Sequence, residues 1–224
     1  MAIVYNTNIV RSGLVLHLDA ANPKSYPGSG TTWRDLSGNG NNATLVNGIG
    51  YSSTFKGYFV QDNTDDYVNT NYTAPTSNFT ISMWGRRTST VYWSVLWANE
   101  TYNSALGYMA IITASNDLYF GKSGAFAPTV TIPDSSAWSH YTFSLDASGN
   151  YKTYHNGVLL NTRNSTVSAS IPQTIKIGTR HNNAGTGYTD TRYGHCSIFT
   201  TYNRVLSAAE ITQNFEATRG RYNV

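Results

Sequence analysis

The sequence holds one cysteine, Cys196, which excludes an intrachain disulfide and leaves stability to a buried core. Set in an apolar run, Cys196 reads as a small buried residue. Glutamate is nearly absent: Glu100, Glu210 and Glu216 are the three in 224 residues. Glycoside hydrolysis needs an acid and a base or nucleophile flanking the scissile bond. No E-x-D-x-x-E string occurs, and Glu210 and Glu216 fall in a C-terminal helical pattern. Asp65 and Asp66 would point to opposite faces of a strand. No G-x-S-x-G elbow accompanies the scattered His17, His140, His155, His181 and His195. The expectation is a protein that is not an enzyme, with a glycan hydrolase as the least favoured function.

Charge is also scarce, at 12% of residues with a net charge of +3. The basic clusters Arg86–Arg87 and Arg219–Arg221 are short and read as solvated surface rather than a nucleic-acid patch. The opening MAIVYNTNIVRSG lacks the charged and long apolar regions of a signal peptide, and it is too short to span a bilayer. Neither nucleic-acid binding nor membrane insertion is expected.

What is abundant is aromatic and turn chemistry: 17 Tyr, 5 Trp and 19 Gly. The length suits one large all-β domain. Short alternating or apolar runs predict strands near 14–18, 43–46, 57–60, 79–86, 91–98, 107–113 and 118–121. Others follow near 138–145, 151–155, 158–161, 174–180 and 193–202. In Trp138–Leu145, Tyr141, Phe143 and Leu145 face one way and His140, Thr142 and Ser144 the other, the pattern of a half-solvated strand. Asn156-Gly157 is the strongest hairpin signal, because both residues tolerate positive φ. Ser207 and Glu210 form a capping box with Leu206 and Ile211 as its staple, and Ile211 and Phe215 share a helical face. The pattern predicts an all-β, two-sheet antiparallel sandwich with one short C-terminal helix. Residues 1–12 read as an N-terminal arm and 13–224 as the domain.

Several segments carry a resemblance when taken in order. Gly13–Gly48 gives a strand, a turn-rich excursion with Trp33, and a return strand. FVQDNTDDYVN (Phe59–Asn69), Phe79-Thr-Ile-Ser-Met-Trp84 and Trp138-Ser-His-Tyr follow, with Tyr154-His-Asn-Gly157 after them. Ile175-Lys-Ile-Gly178 and Tyr202-Asn-Arg-Val-Leu-Ser-Ala-Ala-Glu-Ile211 close the series. Together they resemble laminin-G-like, concanavalin A-like jelly rolls in the form seen on phage virion proteins. The resemblance implies a non-enzymatic virion structural protein, either capsid decoration or tail-associated. Its partners would be other virion proteins, copies of itself and host-surface carbohydrate. Its place would be the virion, assembled in the host cytoplasm. The alternative is a free-standing carbohydrate-binding lectin.

Calcium takes several hard oxygen ligands, and Asp62, Asn63, Asp65 and Asp66 are the densest such group, with Asp19 and Asp35 as further donors. The competing reading is that Asp62–Asp66 caps a turn before Tyr67 enters a core strand. Many laminin-G-like domains hold calcium at the sandwich rim, and their closing strand often has Asp where Ser197 stands here. No other cofactor is expected. For a glycan, the stretch TRHNNAGTGYTDTRY between Gly178 and Gly194 offers His181, Asn182, Asn183, Tyr188 and Asp190. Tyr92, Trp93, Trp97 and Tyr102 form a second aromatic group, in which alternation puts Trp93 and Trp97 on one face as sheet core.

Overall fold

The period-two apolar pattern is satisfied by two antiparallel sheets that close over a shared interior. The computed structural model describes residues 8–62, 64–88, 93–99, 107–122, 125–126, 130–133, 135–165, 173–181, 188–189 and 194–224. One sheet contains β1 (Leu14–Asp19), β4 (Gly50–Ser52), β5 (Tyr58–Val60) and β7 (Phe79–Arg87). It continues with β13 (Ser139–Leu145), β14 (Asn150–His155), β15 (Val158–Asn164) and β19 (Gly194–Tyr202). Their order is β15-β14-β13-β7-β19-β5-β4, and β1 also pairs with β19.

The opposing sheet contains β2 (Thr32–Trp33), β3 (Ala43–Val46), β6 (Tyr67–Thr73), β8 (Ser94–Ala98) and β9 (Met109–Ile112). Its remaining strands are β10 (Asp117–Lys122), β11 (Ala125–Phe126), β12 (Val130–Thr131) and β16 (Thr174–Ile177). The order is β11-β10-β9-β8-β16-β6-β3-β2, with β12 on β10. A two-stranded ribbon, β17 (Arg180–His181) with β18 (Tyr188–Thr189), stands apart. This is the expected jelly-roll sandwich.

The core lies between the sheets. Phe79, Ile81, Tyr141, Phe143 and Phe199 meet Leu96, Trp97, Ile112, Leu118 and Phe120, all at most 1% exposed. At about 1.5–3 kcal/mol per large apolar side chain, this interior needs no disulfide. Cys196 is buried in it, and burial pushes its thiol well above the ordinary range.

The local signals hold. Asn156 and Gly157 take φ of 50° and 79°, and the hairpin joins β14 to β15. Helix α1 (Ala208–Thr218) begins with the reciprocal Ser207–Glu210 capping box. Leu206 and Ile211 are buried together, while Phe215 packs in a neighbouring cluster with Trp84 and Tyr222.

Two expectations change. β13 is not half-solvated: all seven residues are buried. On its polar face His140 sits 6.1 Å from the Phe215 ring of α1, and Thr142 Oγ1 donates to Ser82 Oγ of β7 at 2.9 Å. Strand β6 is absent from the predicted runs, which foresaw only the entry of Tyr67 into a core strand; Tyr67, Val68 and Thr70 are buried along it.

Val10 and Arg221 tie the first and last described segments to β19, α1 and β1. Val10 N donates to Asn214 Oδ1 at 2.8 Å, and Tyr202 Oη donates to Val10 O at 3.1 Å. Arg221 donates to both oxygens of Asp19, at 2.7 and 2.8 Å. The basic pairs are therefore structural. Arg219 pairs with Glu216, Arg87 is buried and donates to Thr113 O and Asn116 Oδ1, and Arg86 Nε donates to His195 Nδ1.

Candidate functional site

The turn between β5 and β6 sits at the rim, held by its first residue. Gln61 N donates to Gly194 O at 2.9 Å, and Gln61 Nε2 donates to Asp66 O at 2.8 Å. The Gln61 amide lies against Gly178, where φ is 84° and a Cβ would come within 1.9 Å of Nε2. Only glycine admits that approach. The turn thus touches Gly178 and Gly194, the residues that bound the 179–193 stretch.

Asp62 Oδ1 accepts from Thr64 N at 2.8 Å, and Asp66 Oδ2 accepts from Asp62 N at 3.1 Å. Turn capping and the entry of Tyr67 into β6 are both present. The carboxylates do more than cap, however. One oxygen from each of Asp62, Asp65 and Asp66 lies within 4.8 Å of the others. Asp62 and Asp65 are exposed, whereas Asp66 is 2% exposed. Asp66 Oδ1 is buried with no hydrogen-bond partner. Burial raises the Asp66 pKa, and the charges on Asp62 and Asp65 push it the same way. Three oxygen-only donors with no nitrogen or sulfur among them fit a hard cation.

The other candidate donors do not join this group. Asp19 is engaged by Arg221, and Asp35 accepts from the backbone N–H groups of His17, Ser37 and Asn41. Asn63 lies outside the described residues. Ser197 Oγ donates to Gly57 O at 2.6 Å and accepts from Tyr222 Oη at 2.8 Å, so the closing strand uses this position for packing.

A second place carries exposed aromatic surface. Trp93, just before β8, is 46% exposed and stacks on the half-buried Tyr119 of β10, with ring centroids 6.0 Å apart and 18° between planes. Asp117 lies two residues before Tyr119 and therefore on the same sheet face. Its Oδ1 accepts from Thr131 Oγ1 at 2.6 Å.

The expectation that Trp93 and Trp97 share a buried face is corrected. A register shift between Val95 and Trp97 breaks the alternation. It sends Leu96 and Trp97 into the core and leaves Val95 in a cluster on the outer face. Trp97 is 0% exposed. Alternation alone missed the platform; the Asp117/Tyr119 spacing was the available signal.

Of the sequence-selected glycan residues, His181 and Tyr188 face each other across the β17–β18 ribbon, described here by its backbone. Asn182, Asn183 and Asp190 lie outside the described residues, as do Tyr92, Glu100 and Tyr102. The other four histidines, His17, His140, His155 and His195, are dispersed through the first sheet. Burial lowers His17 and His195 to about 4 and His140 to about 3, and lowers His155 as well.

Most described carboxylates outside the rim turn have structural partners. Asp146 caps its own turn through Ser148 and Asn150. Glu210, held by Arg204, drops to about 2, and Glu216 pairs with Arg219.

The geometry is that of a lectin-like jelly roll of laminin-G type: a two-sheet sandwich with oxygen donors on its rim and an aromatic platform on one face. Residues 62–212 match the family described as the concanavalin A-like lectin/glucanases superfamily, and the chain belongs to it. Among solved structures it is similar to the botulinum neurotoxin serotype D binding domain (TM-score 0.70, 13% identity, 92% of this chain and 52% of that chain). It is also similar to the binding domain of botulinum neurotoxin DC in complex with SialylT (TM-score 0.70, 14% identity, 93% and 52%). A third similar structure is the binding domain of Paraclostridial Mosquitocidal Protein 1 (TM-score 0.68, 17% identity, 92% and 52%). The chain spans about half the length of these proteins, and at such identities the likeness is one of fold. A comparison with curated protein sequences found no match.

Proposed function

We propose that this chain is a non-enzymatic carbohydrate-binding domain carried on a phage virion as a capsid-decoration or tail-associated protein. The observation that carries the binding role is the solvent-facing Trp93 ring held flat on Tyr119. A sugar ring presents a C–H face that packs on such a surface, while neighbouring polar groups take its hydroxyls. Asp117 and Thr131 are the adjacent polar groups. The partnered state of Asp19, Asp146, Glu210 and Glu216 supports binding without hydrolysis, which would require a carboxyl pair across the scissile bond.

A glycan array, probed with and without calcium, is expected to show binding that Trp93→Ala weakens by about tenfold or more, since a stacked ring contributes roughly 1.5–3 kcal/mol. The exposed position should leave the melting temperature nearly unchanged. Absence of binding to every glycan, or full binding by Trp93→Ala, would sink the assignment.

The virion role rests on the resemblance of the ordered segments to phage structural jelly rolls, and a protein in that role would be assembled into particles in the host cytoplasm. Self-association is supported by β15, the terminal strand of its sheet among the described residues, where Val158 and Leu159 are 64% and 46% exposed. Co-sedimentation with purified particles is the expected result. A monomer by light scattering that never pellets with particles would instead indicate a free-standing lectin with the same sugar platform.

A further inference from the structure

We propose that Arg86, with Tyr58 beside it, binds the carboxylate of a free acid or of a uronate sugar on the outer face of the first sheet. Along β7, Phe79, Ile81 and Met83 face the core, which puts Trp84 and Arg86 on the other side. Arg86 is half-buried there, its Cζ 5.5 Å from the Trp138 ring centroid and 5.8 Å from that of Tyr58. Phe55 adds a third ring, 5.8 Å from Trp138. Its backbone takes φ of 48° and that of Lys56 takes 67°, so a strained turn holds this ring.

The fold leaves the Arg86 charge unmatched. Its Nε donates to His195 Nδ1 at 2.7 Å, and His195 is itself neutral at pH 7, because burial and then Arg86 lower it to about 4. No carboxylate among the described residues pairs with the Arg86 guanidinium, whereas Arg204, Arg219 and Arg221 each have one. The aromatic rings offset part of its lost hydration, but less than a carboxylate would. The surroundings also favour negative charge: the Ser52 and Thr54 hydroxyls, with Arg86 after them, lower the pKa of the Tyr58 hydroxyl.

This chemistry selects the ligand. With Nε committed to His195, the two Nη groups remain as a planar fork that matches the two oxygens of a carboxylate. One positive charge balances one negative charge, so a monocarboxylate fits better than a phosphate dianion. The site lies on the opposite sheet from the Trp93–Tyr119 platform, and it stands whether or not that platform binds a sugar.

The test titrates the full chain at pH 7.5 and low salt with sodium D-glucuronate and with sodium acetate, by calorimetry. Saturable glucuronate binding at or below about 10 mM is expected, with no competition from glucose. Equal affinity for acetate assigns a free acid, and acetate weaker by about tenfold assigns the uronate. Arg86→Gln should weaken glucuronate by about tenfold or more, while Trp93→Ala should leave it unchanged. Tyr58→Phe keeps the ring and loses one hydroxyl, and it should weaken binding by about threefold. Absence of saturable binding by either acid up to about 50 mM overturns the proposal. So does full affinity in Arg86→Gln or, if that variant fails to fold, full affinity in Tyr58→Phe. Loss of glucuronate binding in Trp93→Ala would move the acid to the sugar platform and overturn it equally.

Discussion

Acidification from pH 7 to about 4.5 is expected to unfold the protein, driven by three buried histidines. His17, His140 and His195 are each at most 9% exposed, and desolvation is the leading cause of their depressed pKa values. His17 also faces Arg11 and Arg221, which oppose its protonation, and Asp19 and Asp35, which favour it. His140 faces His155, and His195 faces Arg86. Below pH 6.5 the unfolded chain takes up a proton at each histidine while the folded chain does not. Stability therefore falls as pH drops from 6.5 toward the folded values of about 3 to 4.

Each histidine contributes at most about 1.4 kcal/mol per pH unit, with the slope tapering near both pKa values, or roughly 2 kcal/mol between pH 7 and 4.5. The sum for three is roughly 6 kcal/mol, comparable with the whole stability of a typical domain. Asp66, raised by burial, acts in the opposite direction by at most one proton. Urea melts at pH 7.0, 5.5 and 4.5 should show the midpoint collapsing. His140→Phe keeps a ring beside Trp84 and Phe215 and should flatten the slope by about one proton. A midpoint independent of pH would refute the mechanism.

Replacing Arg221 with Met is expected to cost about 3–5 kcal/mol, because it leaves Asp19 charged and buried. The Asp19 side chain is 5% exposed and Arg221 26%, so the pair is largely shielded from solvent. For a chain of this size the loss corresponds to a fall in melting temperature of roughly 6–20 °C. Asp19→Asn combined with Arg221→Met should recover part of the loss, since the stranded charge is gone. A single-mutant melt within 2 °C of wild type, about the effect of 1 kcal/mol or less, would show that the pair is not holding the C-terminus to β1.

Short-range features of this fold are written in the sequence, and long-range ones are not. The Asn156-Gly157 turn, the Ser207–Glu210 capping box and the apolar alternation of β7 and β13 were legible, because each is set by residues a few positions apart. The acidic turn was legible as a cluster too. Its interest lies in Asp66, whose lone oxygen is buried by neighbours the sequence does not name. Alternation assigns Trp93 to the core, whereas one shift between Val95 and Trp97 reverses which face a side chain occupies and exposes the platform.

Sequence by itself therefore determined the all-β sandwich, its capped terminal helix and the chemistry available on its rim. Only the tertiary structure decided which polar faces are covered. His140 is covered by Phe215 of α1, which arrives from the far end of the chain, and Arg221 closes on Asp19 across 202 positions. Local conformational preference is encoded in short strings, whereas burial and charge compensation depend on surfaces brought together from distant segments.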